Sequence, residues 1–448
     1  MFVGPLPDRA PRVGASNSTT RVLLRANQVY QISHLRTGLT VATAEMPHMQ
    51  SVSLGLWVGV GSRYEPARLN GVCHFIEHLF FKGTKKRAAK QISQAVEGLG
   101  GYMNAFTSEE ATCFHARARH DHFPELLDVL MDMFLNSKFE TGEIDKEREV
   151  IKEELAMDLD EPQHHVQELL NSTLWPNQPL GRTVTGTDQT LDKLTRPCLT
   201  KFLRDSYVSG NTLVVATGKL RHSQIVKSVA RYAPRFRTGN RPQFFPARNE
   251  QQRPQCCLLT KKTEQTQIAL GIRTCSRHDE RRYALRLLNA ILGENMSSRL
   301  FQSVREDRGL AYSIYSTPSF FSDTGDLVIS AGIDLDNLPK TLRLILRELR
   351  RLSQTRPTAG ELRRARDYAI GQLALSLEST DNQMNWLGEQ LLGYGRIFQP
   401  SEIERQLGKV TPAQIRSVAR DFFREERLNL AVVSPLQKKE ELEALLRL

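Results

Sequence analysis

The segment His74-Phe75-Ile76-Glu77-His78 places two imidazoles and one carboxylate within one short stretch. On a helix, at about 100° per residue, the 74 and 78 side chains stand roughly 40° apart, and Glu77 lies about 60° from His74 on the other side. Two imidazoles at i and i+4 can grip one Zn²⁺, and a carboxylate beside them can take a proton from a metal-bound water. That is the chemistry of peptide hydrolysis. The bland alternative is a helix with two half-exposed histidines and an ion-pairing glutamate; a third ligand separates the two readings.

The stretch 143–155 offers more glutamates than a ligand needs, so helical phase must choose among them. Taking Ile144 as zero, Ile151 and Leu155 fall within roughly 20° of it and Val150 at about 240°, which defines an apolar stripe. Glu147 and Glu154, at about 300° and about 280°, lie inside that stripe, whereas Glu149 and Glu153 fall on the far side with Lys146 and Lys152. Asp158 also sits in the stripe. A carboxylate on a buried face needs a cation or hydrogen bonds, and either a metal or an arginine would serve. Phase therefore nominates Glu154 or Glu147 without deciding between them.

The elements that must position these groups can be read around them. A chain of 448 residues, 40% hydrophobic and 25% charged, has the composition of a soluble globular protein and the length of two domains. Residues 28–35 alternate, 36–38 turn, and 39–45 and 51–60 resume the two-residue period. Gly71 precedes the His-Glu-His helix, 88–99 reads as a second helix stopped by Gly100-Gly101, strands are expected at 102–108 and 111–118, and helices at 122–136 and 141–159. The proline-containing, aperiodic stretch 238–255 reads as a linker. Beyond it a strand at 265–273, a helix at 279–292, strands at 310–318 and 325–333 and a helix at 337–353 repeat the first half in outline, without a second H-x-x-E-H. The expected fold is α+β: two similar domains, 25–237 and 256–448, each a mostly antiparallel sheet with helices on one face, preceded by a flexible N-terminal arm at 1–24.

Charge and cysteines narrow the setting. The net charge of +11 raises nucleic acid as a partner, but the arginine clusters at 277–282, 347–351 and 363–366 alternate with leucines and acids as solvated helix faces do. Nucleic acid is not expected, and no apolar run is long enough for a membrane span. The six cysteines show no framework spacing, so a reducing compartment is expected. The cytoplasm fits, with the mitochondrial matrix as the alternative if 1–24 is a targeting segment, since Arg9, Arg12 and Arg21 lie there with Asp8 as the sole acid. Cys73 reads as a packing residue, and His164-His165 as solvated.

H-x-x-E-H followed 76 residues later by Glu154, itself preceded seven residues earlier by Glu147, resembles the pitrilysin and mitochondrial-processing-peptidase family of inverted-motif zinc peptidases. Asn104-Ala105-Phe106-Thr107-Ser108 is similar to the family's N-A-x-T edge strand, whose backbone pairs with the peptide substrate. Arg305 to Tyr312 is similar to its R-x6-Y element, and Met296 to Phe301 before it also fits. The resemblance runs from about residue 25 to the C-terminus. It implies His74, His78 and Glu154 as ligands of one Zn²⁺ per chain, Glu77 as general base, and Glu147 as the carboxylate that orients a histidine. It further implies Asn104, Ala105, Arg305 and Tyr312 as substrate-binding residues, with Tyr312 helping to hold the oxyanion.

The same resemblance implies an endopeptidase acting on unfolded or short peptides in a chamber, as a homodimer or with a related subunit. The acidic stretch 140–161 leads us to expect a modest preference for a basic residue near the cut. The fold also serves as a non-catalytic scaffold or partner subunit. Against that stand the three ligands and Glu77, all present, and the absence from the sequence of the long glycine-rich loop of the inactive substrate-recognising partner.

Overall fold

The structure, a computed structural model, describes residues 30–448; the expected arm at 1–24 and the start of the first strand lie outside the described residues. The first half is built on β1 (Tyr30–His34), β2 (Thr40–Glu45), β3 (Ser51–Val58), β4 (Tyr102–Thr107), β5 (Thr112–Arg119) and β6 (Thr212–Gly218). They lie in the order β1-β2-β6-β3-β5-β4, with β2 and β6 parallel and every other neighbour antiparallel. The helices of this part of the chain are α1 (Val72–Phe80), α2 (Ala89–Glu97), α3 (Phe123–Asn136), α4 (Thr141–Asp160), α5 (Pro162–Leu174), α6 (Asp188–Leu191), α7 (Arg196–Ser206) and α8 (His222–Ala230). Val52, Leu54, Leu56 and Val58 of β3 share one face, as the two-residue period requires, and pack with Phe75, Ile76 and Leu79 of α1 and Leu126 and Leu130 of α3.

The second half repeats this plan. Its sheet is β7 (Gln255–Thr260), β8 (Thr266–Thr274), β9 (Ala311–Phe320), β10 (Gly325–Ile333) and β11 (Leu428–Ser434), ordered β7-β11-β8-β10-β9, and β7 runs parallel to β11 as β2 does to β6. The helices are α9 (Arg282–Leu292), α10 (Leu338–Gln354), α11 (Ala359–Ser376), α12 (Thr380–Tyr394), α13 (Pro400–Lys409), α14 (Pro412–Phe422) and the short α15 (Glu440–Glu443). Matching strand for strand, β2-β6-β3-β5-β4 corresponds to β7-β11-β8-β10-β9. The α+β expectation of two similar, mostly antiparallel units therefore holds, and β4 and β9 are equivalent edge strands.

Each sheet is covered on its second face by a helix from the other half. α12 brings Met384, Leu387 and Leu391 against Trp57, Cys113 and Val215 of the first sheet. α5 brings Val166 and Leu170 against Ala269, Ala431 and Val433 of the second. The approach of α12 is close: a Cβ on Gly388 would lie 2.2 Å from the Trp57 ring, and one on Gly55 would lie 2.4 Å from the Met384 sulfur. Residues 238–254, between the halves, form neither helix nor strand. They are pinned by Arg63, a fully buried cation that donates to the Phe245 carbonyl, stacks on Phe244 and pairs with Glu110 and Asp323.

Candidate functional site

α1 starts at Gly71, whose φ of 91° is left-handed and whose Cβ, if it had one, would lie 2.6 Å from the Thr185 carbonyl oxygen. A glycine has no side chain with which to cap a helix. That office falls to Glu65, which is fully buried and accepts from the Gly71 and Cys73 backbone N–H groups, both at 2.8 Å, and from Asn70 Nδ2 at 3.1 Å. Burial pushes the Glu65 carboxyl up, while these donors work against the shift. Val72, Cys73, Phe75, Ile76, Leu79 and Phe80 turn into the core, while His74 and His78 meet carboxylates of α4 and Glu77 turns to β4. Cys73 packs there at 0% exposure, and burial holds its thiol well above the usual range.

On α4, Ile144, Glu147, Ile151 and Leu155 are buried as the stripe requires, while Val150 at its margin is 49% exposed. The two carboxylates that phase could not separate take different places. Glu154 lies at the imidazole tips, its Oε1 3.8 Å from His74 Nε2 and its Oε2 3.5 Å from His78 Nε2. Glu147, two turns earlier, lies behind, its Oε2 3.2 Å from His78 Nδ1 and its Oε1 2.7 Å from Lys82 Nζ. Glu77 is 9% exposed and accepts from the Thr107 hydroxyl of β4 at 2.5 Å.

The electrostatics follow from burial and proximity. Burial, with His78 alongside, takes His74 down to about 4. His78 is subject to the same burial, but the Glu154 and Glu147 carboxylates that its ring faces prevail and raise it. Glu154 is lowered, first by its bond to His78, and Glu77 is raised, first by desolvation. Burial disfavours the charged form of Glu77 and so makes its carboxylate a stronger proton acceptor than a solvated one.

The donor set of two imidazole nitrogens and one carboxylate suits a divalent zinc-like ion, and one ligand atom from each residue can be chosen so that all lie within 4.8 Å of one another. The 3.8 and 3.5 Å separations end on the two different Glu154 oxygens, so that each imidazole Nε2 has one carboxylate oxygen beside it. Glu147 fixes the His78 ring through its far nitrogen, whereas the buried Nδ1 of His74 has no hydrogen-bond partner among the described residues.

The remaining predicted residues are distributed around this cluster. Asn104 and Ala105 lie on β4, which among the described residues has β5 as its one strand neighbour. Asn104 Oδ1 accepts from the Ala105 N–H at 2.8 Å, so the edge folds a side chain over its own donor. Arg305 and Tyr312 come together in the second half, the guanidinium 5.7 Å from the Tyr312 ring centroid, with Tyr312 77% exposed. Neither forms a hydrogen bond or ion pair with the metal-type cluster among the described residues. His164 and His165 bond to Asp158 and the Leu159 carbonyl and not to the cluster residues.

Sequence reasoning missed Glu65, Lys82 and the particular role of Thr107. Lys82 lies one turn beyond His78 on the same side, a spacing that could have found it; Glu65 precedes its helix through an irregular turn and left no periodic signal.

Residues 40–188 match the sequence model of the family described as insulinase (peptidase family M16), and residues 193–368 match that of the peptidase M16 inactive domain. An uncharacterized zinc protease of Streptomyces coelicolor is 37% identical over 90% of this chain and 89% of its own. The uncharacterized zinc protease YmxG of Bacillus subtilis is 36% identical over 89% of this chain and 97% of its own. Among solved structures, a protease from Helicobacter pylori superposes with a TM-score of 0.84 at 20% identity, covering 91% of this chain and 99% of that one. A Pseudomonas fluorescens structure described as a peptidase M16 inactive domain also reaches 0.84, at 19% identity over 92% of this chain and 98% of that one.

Proposed function

The chain belongs to the insulinase family of peptidases, family M16, and from that premise we propose that it is a zinc-dependent endopeptidase cleaving unfolded or short peptides. The observation that carries the proposal is the convergence of His74, His78 and Glu154 at 3.5–3.8 Å beside a buried Glu77. His74, His78 and the Glu154 carboxylate would hold one Zn²⁺ per chain. The chemistry such an ion supplies when bound is Lewis acidity, which brings the acidity of water near neutrality.

Glu77 then accepts the proton of the attacking water and returns it to the departing amine. Thr107 keeps the Glu77 carboxylate oriented for both transfers, and Glu147 keeps the His78 ring turned so that Nε2 would be free for the metal, beside Glu154. An extended peptide pairs with the backbone of β4, displacing the Asn104 side chain from the Ala105 N–H. Arg305 and Tyr312 act on the peptide from the second half, Tyr312 as a donor to the developing oxyanion. Two such chains, or this chain and a related subunit, close the chamber, and the substrate preference is for a basic residue near the cut.

The second reading is a non-catalytic scaffold, since the Pseudomonas fluorescens neighbour described as an inactive domain has this fold. Metal analysis with peptide turnover separates the two. One zinc per chain, hydrolysis of an unfolded peptide, and a loss of about 10³-fold in kcat for Glu77→Gln with zinc retained are expected; a zinc-loaded wild type that cleaves nothing overturns the enzyme reading.

A further inference from the structure

The edge strand offered to substrate is held from the other half of the molecule. Asp381, in the first turn of α12, accepts from side chains on three strands of the first sheet. Ser53 Oγ of β3 donates to Oδ1 at 2.6 Å, Arg117 Nη1 of β5 donates to Oδ2 at 3.0 Å, and the Tyr102 hydroxyl of β4 donates to the same Oδ2. Ser53 faces Arg117 and Arg117 faces Tyr102 in the strand registers, so one carboxylate gathers a complete row across β3, β5 and β4.

The anchorage is built in. The neighbouring Thr380 is fully buried, its hydroxyl oxygen lies 2.8 Å from Ser53 Oγ, and its carbonyl accepts from the Thr217 hydroxyl of β6 at 2.6 Å. The Asp381 side chain is itself only 18% exposed, and a partly desolvated carboxylate with three donors gives strong, directional bonds. By contrast β4 is paired on one side alone among the described residues, and its Tyr102 end is the more exposed. Its other end is fixed through Thr107 and Glu77.

We infer that Asp381 is a positioning residue for substrate: by holding Tyr102 and Arg117 it keeps the far end of β4 in line, so that the half without metal ligands sets how long a peptide the edge can pair. This rests on the proposal that an extended peptide pairs with β4. From Thr107 to Tyr102 the strand takes five residue-to-residue steps, about 17 Å at about 3.3 Å per step. A peptide of ten residues spans that length; one of four, bound beside Thr107, does not.

The test uses the full chain, zinc-loaded, in a Glu77→Gln background that binds peptide without consuming it. Fluorescence anisotropy gives Kd for a ten-residue and a four-residue version of the same peptide. Asp381→Asn is expected to raise Kd for the long peptide about fivefold and to leave the short one unchanged. Tyr102→Phe, which removes one donor and leaves Ser53 and Arg117 on Asp381, is expected to raise the long-peptide Kd about twofold and carries the test if Asp381→Asn fails to fold. Zinc stoichiometry stays at the parent value in both. Equal weakening for both peptides, loss of zinc, or no change in either Kd overturns the inference, as does a long peptide that does not bind the parent. A wild type that cleaves neither peptide while the long-peptide effect persists sinks the peptidase reading and leaves this one standing.

Discussion

Thr107 on β4 donates its hydroxyl to Glu77 on α1 at 2.5 Å, which ties the Glu77 carboxylate and the edge strand into one unit. On the proposed reading, a peptide paired with that edge meets a carboxylate already aimed. Thr107→Val keeps the shape and removes the donor. Its expected effect is a fall of about tenfold in kcat, with KM and zinc content near wild type, because orientation and not binding is lost. Steady-state kinetics with metal analysis checks this; a change confined to KM would contradict it.

Glu147 sits between His78 Nδ1 and Lys82 Nζ, where it fixes the ring without reaching the metal position. Glu147→Gln is expected to weaken zinc about 10- to 100-fold, the usual cost of an outer partner, while the chain stays folded. Competition against a chelator of known affinity measures it. Unchanged zinc affinity would show that His78 is held by its helix alone.

Glu65 caps the helix that carries both histidines. Replacing it with alanine leaves two buried N–H groups at the start of α1 without acceptors, at a cost of about 2–4 kcal/mol. Thermal melting with and without zinc should show a lowered Tm that zinc restores only in part. An unaltered melt would mean that the cap is dispensable.

Asp326 on β10 is fully buried, and desolvation, with Glu109 adding to it, pushes its carboxyl up to about 7. A folded-state value above the unfolded one means a contribution that is complete below about pH 3.8 and is lost as pH rises through about 7. Asp326→Asn does not titrate. The Tm of the variant relative to wild type is therefore expected to climb between about pH 4 and about pH 7 and to level off above that; a flat or falling difference across that window refutes the sign.

The sequence of α1 was enough to specify its chemistry, because a helix of known pitch fixes the angles between residues 74, 77 and 78 before any tertiary contact exists. Alternating strands such as β3 and β5 were legible for the same reason. β3, though buried on both faces, sets Ser, Ser and Gly between its Val and Leu residues, whereas a short apolar run such as Thr212–Gly218 of β6, like that of β11, carries no clean period to distinguish strand from helix. The reach of β9 to Phe320 and the start of α9 at Arg282 are boundary matters that side-chain pattern leaves loose.

What pattern could not supply was the relation between elements far apart in the chain. Phase placed Glu147 and Glu154 on one stripe of α4, and only the crossing of α4 over α1 put one at the Nε2 atoms and the other behind Nδ1. The exchange of α5 and α12 between halves left no trace either, since an amphipathic helix records that it has a partner and not which sheet the partner belongs to. Local geometry is written in the spacing of residues; the company a residue keeps across the molecule is settled by packing, where the shape of Gly388 against Trp57 or the reach of Asp381 to Tyr102 decides.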